Sequence, residues 1–253
     1  KLLKLNISNK SVSTKKLTSG ENNILFSKSK INTKYSIKEK LVTFKSSHSR
    51  LGHSKIDYTG ELSINPFDLN VNILLDNYKI SKLFNLNPIL IEFLKSRILF
   101  NNNISSNTSI AINSNIKNDI FHNAKINFHI FDGKINFNKT TFVNNEIGSL
   151  QLNNSNLFYK NNELLFNSDI LIDIENSENL FSFLNTNKSS QKNFKTILIN
   201  LDYNILTNEI KFNNLKIDNK KVKNELLSIV GDFDNNVIRN RKLINKLLNA
   251  YEG

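Results

Sequence analysis

Apolar residues recur at every second position over much of this chain, most regularly between Ile104 and Ile174. The longest run alternates from Leu164 to Ile174, and the residues between its apolar positions are mostly polar or charged. Successive side chains of a strand point to opposite faces, so this spacing predicts sheet strands with one apolar and one polar face. Antiparallel sheets tolerate that asymmetry, whereas parallel sheets covered on both sides show unbroken apolar runs.

Turn signals divide the pattern into short strands that follow one another as a meander. An alternating strand over 56–64 ends before Pro66, and a return strand over 69–75 predicts a hairpin around 65–68. Asp132-Gly133 is the strongest two-residue hairpin signal. The Ser-, Thr- and Lys-rich stretch up to residue 23 is predicted to be a loop or weak edge. Two further strands are predicted within 24–45. Others are predicted at 140–143, 148–153, 156–160, 163–174, 195–205 and 209–217.

Helical spacing interrupts the strands at three places. Apolar residues of 79–95 recur at intervals of three and four, and Pro88 suits the first turn of a second helical piece. A cap signal centred on Ser177 predicts a short helix over 176–186. The sequence therefore predicts a mainly β fold, a long curved antiparallel meander over 1–220 with helical insertions near 79–95 and 176–186. A pair of C-terminal helices is predicted over 221–253.

Composition narrows the class of protein. The sequence has no Met and begins at Lys1, which predicts a fragment whose signal peptide or membrane anchor would lie in a preceding segment. Cysteine is absent, which excludes disulfides and thiol chemistry. No apolar run reaches the 18 residues expected of a membrane-spanning helix.

The formal net charge of +12 raises the question of a nucleic-acid partner or of an anionic membrane surface. Lysine is spread through strands and turns, and the densest cluster, within 28–40, lacks the basic and aromatic interleaving of a single-strand platform. A diffuse basic surface is therefore favoured, and no nucleic-acid partner is expected.

The sequence offers no arrangement of residues typical of an active site. His48, His53, His122 and His129 have no metal or triad spacing. Asp169 and Asp173 would lie about 13 Å apart along one strand, too far for an acid–base pair. Phosphate-loop, nucleophile-elbow and zinc-protease motifs are absent from the sequence. We expect a protein that is not an enzyme and that needs no cofactor or metal.

The function depends on what covers the apolar face of the predicted sheet. About fourteen predicted strands present such a face, while the predicted helices are few and short. A second sheet could close a sandwich, which would make the chain a structural or adhesive module. Alternatively, the sheet forms an open groove whose apolar lining takes lipid acyl chains. The periodicity of apolar residues favours neither the closed sandwich nor the open groove.

Three passages carry a resemblance to a known family. YTGELSINPFDLNVNI (58–73) followed by KISKLF (79–84) has a strand with Gly60, a turn around Pro66 and a Lys-Leu helix start. The strand-rich passage 126–184 contains turns at Gly133 and Gly148 before a long strand and a short helix. Together with 197–220 and the final helices, they resemble the C-terminal region of the AsmA-like family of bacterial envelope proteins.

The resemblance implies a periplasmic protein anchored in the inner membrane by a helix absent from this sequence. It also implies a long curved sheet with an apolar groove and a role in outer-membrane biogenesis, with phospholipid or another acyl-chain lipid as partner and other envelope proteins as possible partners. The family has no catalytic residues. The candidate groove residues, each equally suited to an ordinary core, are Ile56, Tyr58, Leu62, Ile64, Leu69, Val71, Ile73, Ile110, Ile112, Ile126, Phe128, Ile130, Leu164, Phe166, Ile170, Ile172 and Ile174.

Overall fold

The protein is mainly β, which confirms the predicted fold class. A computed structural model describes residues 5–84, 88–117, 119–186, 188, 191–222 and 242. Those residues contain sixteen strands, two α-helices and short 3₁₀ turns. The chain divides into two compact units, Lys1–Thr140 and Thr141–Gly253, which we describe separately.

Ten strands of the first unit join side by side in an order that follows the chain. Their order is β1-β2-β3-β4-β6-β7-β8-β9-β10, and the short β5 pairs with β3 and β6. The strands are β1 (Leu5–Ser13), β2 (Thr18–Phe26), β3 (Ser29–Lys38), β4 (Leu41–Ser46), β5 (Ser49–Leu51), β6 (Ser54–Ile64), β7 (Phe67–Asp76), β8 (Ile104–Asn113), β9 (Asn123–Phe131) and β10 (Lys134–Asn136).

One pair departs from the antiparallel pattern, because β7 and β8 run parallel. Parallel neighbours need a crossover connection, and the helical insertion supplies it. The insertion consists of a 3₁₀ turn at Ile80–Phe84, helix α1 (Pro88–Lys95) and a second 3₁₀ turn at Ile98–Phe100. The predicted helical pieces and the start at Pro88 are confirmed. Alternation could not reveal the parallel pair, since it is the same in either direction.

Both predicted hairpin turns of this unit are confirmed. Ile64 pairs with Phe67 across the first, and Phe131 pairs with Lys134 across Asp132-Gly133, whose φ angles are both positive. Of the two predictions for the stretch before residue 23, the loop is wrong and the weak edge is confirmed, because β1 is an exposed edge strand. The Ser- and Asn-rich residues of this stretch form β1 and β2, which pair along nine residues without a bulge. Backbone pairing of β2 with β3, and of β1 with β2, overrides their weak strand propensity.

The second unit is a meander packed on one helix. Strands β12 (Gly148–Lys160), β13 (Glu163–Ile174), β14 (Thr196–Asn204), β15 (Glu209–Ile217) and β16 (Lys220–Lys221) pair antiparallel in that order, and β11 (Thr140–Asn144), which begins at the unit boundary, pairs with β12. Helix α2 (Ser177–Leu184) confirms the predicted insertion. Its cap is Asn176 rather than Ser177, since the Asn176 side chain accepts from the Asn179 N–H.

Two strands predicted over 148–160 are one strand in the structure. Strand β12 continues through a register shift between Asn153 and Asn156, where the extra residue breaks the alternation without ending the pairing. The predicted C-terminal helices lie outside the described residues, apart from residue 242. Val222, predicted to open the first of them, instead follows β16 and is buried against the sheet.

Candidate functional site

Register places the candidate residues of the first unit on a single face of its sheet. Tyr58 pairs with Ile73, Ile73 with Ile110, and Ile110 with Ile126, so one row of partners crosses four strands. Paired residues point to the same side of a sheet. The candidates that share this apolar face are Ile56, Tyr58, Leu62, Ile64, Leu69, Val71, Ile73, Ile110, Ile112, Ile126, Phe128 and Ile130.

Part of this apolar face, on β8 and β9, is buried. Ile112 is only 1% exposed, and Ile130 on β9 is also buried. Their neighbours on the opposite face, Ala111 and Phe131, are exposed. Buried Ile80 and Leu94 belong to the crossover itself. Because burial on β8 and β9 is restricted to the apolar side, we infer that the crossover lies on that side.

The remainder of the apolar face is open to different degrees. The candidates on β6 and β7 are half-buried, except Ile64, which is 56% exposed. At the edge of the sheet, Ile7 on β1 is 62% exposed. Within the described residues of this unit the strands form one continuous sheet, so a closed sandwich lacks its second sheet there. Apolar surface therefore remains in contact with solvent.

The apolar face extends beyond the candidates onto β2, β3 and β4. Ile24 pairs with Ile31, Ile37 with Val42, and Tyr35 with Phe44. Their alternation was visible in the sequence, but only pairing of β4 with β6 shows that they share a face with Leu62. The sequence argument omitted these residues because it could not assign register between separate hairpins.

Aromatic rings lie against glycines on this face. A Cβ on Gly60 would approach the Phe44 ring to 2.5 Å, and one on Gly20 would lie 2.6 Å from the Tyr35 hydroxyl. Tyr35 and Phe44 are register partners, with the two glycines on the strands that flank them. The absence of a side chain at each glycine lets the neighbouring ring lie along the sheet.

Polar ends of the tyrosines on this face are satisfied within the protein. The Tyr58 hydroxyl lies 2.5 Å from Thr33 Oγ1 and donates to the Asn32 carbonyl at 3.2 Å. The Tyr35 hydroxyl donates to Asn9 Oδ1 at 3.0 Å. Satisfied hydroxyls remove a desolvation cost when an apolar molecule covers the rings.

The opposite face of the first unit is polar and includes concavities between its strands. One of about 580 Å³ is lined by polar-face side chains that include Lys34, Lys45 and Glu61. A second of about 260 Å³ shares Asn70 and Asn72 with the first. Amides and hydroxyls line both, and the first also has charged side chains, so each offers hydrogen-bonding groups to water or a polar ligand.

Candidates of the second unit also share one face, but much of it belongs to a core. Register aligns Ile172 with Ile197 and Ile170 with Ile199, on the side that also carries Leu164, Phe166 and Ile174. Ile174 joins a buried cluster with α2, and Ile172 packs against it. Leu164 is fully buried. Leu164, Ile172 and Ile174 are therefore in the environment of ordinary core residues, while Phe166 and Ile170 are half-buried.

The members of that cluster come from the sheet, from α2, from the segment before β14 and from the residue that follows β16. The Phe181 and Phe194 rings meet edge to face with centroids 5.9 Å apart. The buried residues of the cluster are Ile174, Phe181, Leu184, Phe194, Leu215, Ile217 and Val222. An edge-to-face pair adds to the free energy of area burial.

Each unit contains one aspartate whose carboxylate holds a connection in place. Asp119 accepts from the N–H groups of Ile80 at 2.5 Å and Ser81 at 3.1 Å. Burial raises the pKa of Asp119, but hydrogen bonds from Ser81, Ile80 and Ser114 outweigh it, so the pKa lies below its ordinary value. These bonds attach the start of the crossover to the β8–β9 connection.

In the second unit Asp218 accepts from the N–H groups of Lys195 at 2.8 Å and Thr196 at 2.9 Å. Burial raises the pKa of Asp218, but these hydrogen bonds and the Lys195 charge together lower it by more. The pKa of Asp218 therefore lies below its ordinary value. Both carboxylates fix connections of the fold.

The described residues contain no group of three His, Asp or Glu side chains able to hold a metal ion. Across the same residues, no helix combines the length and apolar character needed to cross a membrane. No family model, curated protein or solved structure matches this chain. The resemblance to AsmA-like proteins therefore stays a prediction.

Proposed function

We propose that the protein is a non-enzymatic envelope protein whose open apolar sheet face shields acyl chains of phospholipid or a similar lipid. The observation that carries this proposal is the continuous apolar face of the first unit, which is only half-buried over β6 and β7. A face of this kind in water needs an apolar occupant. The proposed setting, from the AsmA-like resemblance, is the periplasm, with an inner-membrane anchor outside this sequence and a role in outer-membrane biogenesis.

The proposed mechanism is passive. Burial of acyl surface contributes about 25 cal/mol per Å², which offsets part of the cost of leaving the bilayer. Neighbouring rows of the face carry similar aliphatic side chains, so a lipid chain would find similar free energy along the sheet. The polar opposite face keeps the protein in water.

The direct test is a charge placed on one face and then on the other at adjacent positions of β7. Val71→Asp places a carboxylate on the apolar face, while Asn72→Asp places the same charge on the polar face. We expect purified wild-type protein and Asn72→Asp to retain phospholipid in native mass spectrometry. Val71→Asp should lose most of it while keeping its β circular dichroism spectrum.

Two results would contradict the proposal. Protein that carries no lipid and takes up no fluorescent phospholipid would leave the apolar face without its proposed occupant. Equal lipid retention by folded Val71→Asp and Asn72→Asp would show that lipid binds elsewhere. Ile172→Asp is a poorer test, because Ile172 packs against the α2 core and its substitution would disturb folding.

A further inference from the structure

One end of the first unit's sheet gathers most of its tight turns. The pairs Ser13 with Thr18, Lys38 with Leu41, Ile64 with Phe67, and Phe131 with Lys134 each close a hairpin. Register between the hairpins places all four closures at the same end of the strands. We call this region the turn end and define it as residues 14–17, 38–41, 64–67, 97–104 and 131–134.

The second 3₁₀ turn of the crossover also belongs to the turn end. Its Phe100 carbonyl oxygen lies 3.0 Å from the position of a Cβ on Gly133, beside the β9–β10 hairpin. Ile104, which follows it, pairs with Phe67 at the start of β7. The crossover therefore returns to the sheet among the hairpin turns.

Large apolar side chains are exposed at the turn end. Phe131 is 64% exposed and Ile98 is 54% exposed. The exposed large apolar residues of this region are Leu17, Leu41, Ile64, Phe67, Ile98 and Phe131. Single exposed apolar residues are ordinary on a protein surface, but six from five separate segments at one end of a sheet indicate an interaction surface.

Basic residues surround these side chains. The turn end contains six basic residues, Lys15, Lys16, Lys38, Lys40, Arg97 and Lys134, and two acidic residues, Glu39 and Asp132. Exposed apolar side chains together with excess basic charge complement a bilayer that contains anionic lipid. A neutral or basic protein surface would not match this charge.

We propose that the turn end binds the surface of an anionic bilayer, with its apolar side chains in the interface and its basic residues on the headgroups. Ile64 and Phe67 belong both to the turn end and to the apolar face, so the membrane contact is continuous with that face. The membrane contact itself does not depend on the proposed function. Its consequence, that lipid enters the apolar face from this end, rests on the proposed function.

Vesicle co-sedimentation of the full chain tests the contact. The vesicles are phosphatidylcholine with or without phosphatidylglycerol. We expect wild-type protein to bind only the anionic vesicles and to lose binding as salt is raised, since salt screens the headgroup attraction. Leu41→Ser with Ile98→Ser and Phe131→Ser should weaken binding about tenfold or more, because less apolar area enters the interface. Lys15→Gln with Lys40→Gln should weaken it about thirtyfold.

Matched control variants come from other parts of the same unit. Leu25 and Leu74 are exposed to a similar degree but lie toward the opposite end of the strands, so Leu25→Ser with Leu74→Ser should leave vesicle binding unchanged. Lys28→Gln with Lys117→Gln removes the same charge outside the turn end. Equal losses in control and turn-end variants, or equal binding to neutral vesicles, would overturn the proposal.

A separate readout distinguishes this proposal from the proposed function. Uptake of a fluorescent fatty acid in vesicle-free solution should be unchanged in the turn-end serine variant, because Leu41 and Phe131 point to the side opposite the apolar face and Ile98 belongs to the crossover. Vesicle binding without fatty-acid uptake would sustain the membrane contact and refute acyl shielding. Uptake by wild-type protein without any vesicle binding would refute the contact alone.

Discussion

The two units carry the same alternation on their strands and use the resulting apolar faces differently. In the second unit, α2 and the segment before β14 cover one end of the face and form a core with Ile174 and Ile217. In the first unit, one-sided burial on β8 and β9 indicates that the crossover covers part of the face, and the face of β6 and β7 stays half-buried. Alternation therefore identifies an apolar face, while the elements packed on that face decide whether it is core or binding surface.

The largest expected effect comes from one substitution made in each unit. Leu184→Ala removes a buried side chain of the second unit's core, and we expect a loss of about 3 kcal/mol in the free energy of unfolding. Leu62→Ala removes a half-buried side chain of the first unit, with an expected loss of about 1 kcal/mol. Urea denaturation followed by circular dichroism measures both. Equal losses would mean that the face around Leu62 is covered as completely as the α2 core.

A smaller effect is expected where a ring lies on a glycine. Gly60→Val would place side-chain atoms against the Phe44 ring and the Asn70 carbonyl, and we expect a loss of about 1–3 kcal/mol in unfolding free energy. Gly52→Asn is the control, because its surroundings are open and Asn tolerates the left-handed φ of +65°. The unfolding free energy of the Gly52→Asn variant should stay within about 0.5 kcal/mol of the wild-type value. A neutral Gly60→Val would show that Phe44 turns away from the sheet freely.

The smallest expected effect is a dependence of folding stability on acidic pH, which we expect in both units. The depressed pKa of Asp119 stabilises the folded state above the ordinary carboxyl pKa of about 3.9, and this contribution is lost as pH falls through the lower folded value. Asp119→Asn should therefore unfold at a lower temperature than wild type at neutral pH and approach it in acid. Thermal melts at several pH values measure the difference.

Asp218→Asn is the parallel test in the second unit, since the pKa of Asp218 is also depressed. Its difference from wild type should shrink in the same acidic range. A difference that is constant with pH at either position would show that the amide replaces the carboxylate poorly for steric reasons instead.

Local signals were sufficient where neighbouring residues determine the structure. Asp132-Gly133 closes a hairpin because its residues accept positive φ, and Pro88 opens α1 because its missing N–H is not needed there. Local composition failed at β1 and β2, whose Ser and Asn residues form strands because β2 pairs with β3 and β1 pairs with β2. The parallel pairing of β7 with β8 leaves no mark on alternation.

By itself, the sequence determined the strand-rich fold class, the hairpin turns, the helical insertions and the polarity of each strand face, since these follow from local sterics and side-chain period. Register, the parallel crossover and the cover over each apolar face were decided only by tertiary structure, because they depend on contacts between residues distant in the chain. The physical difference between Ile174 in a core and Ile64 at an exposed end is therefore one of packing partners, not of residue type.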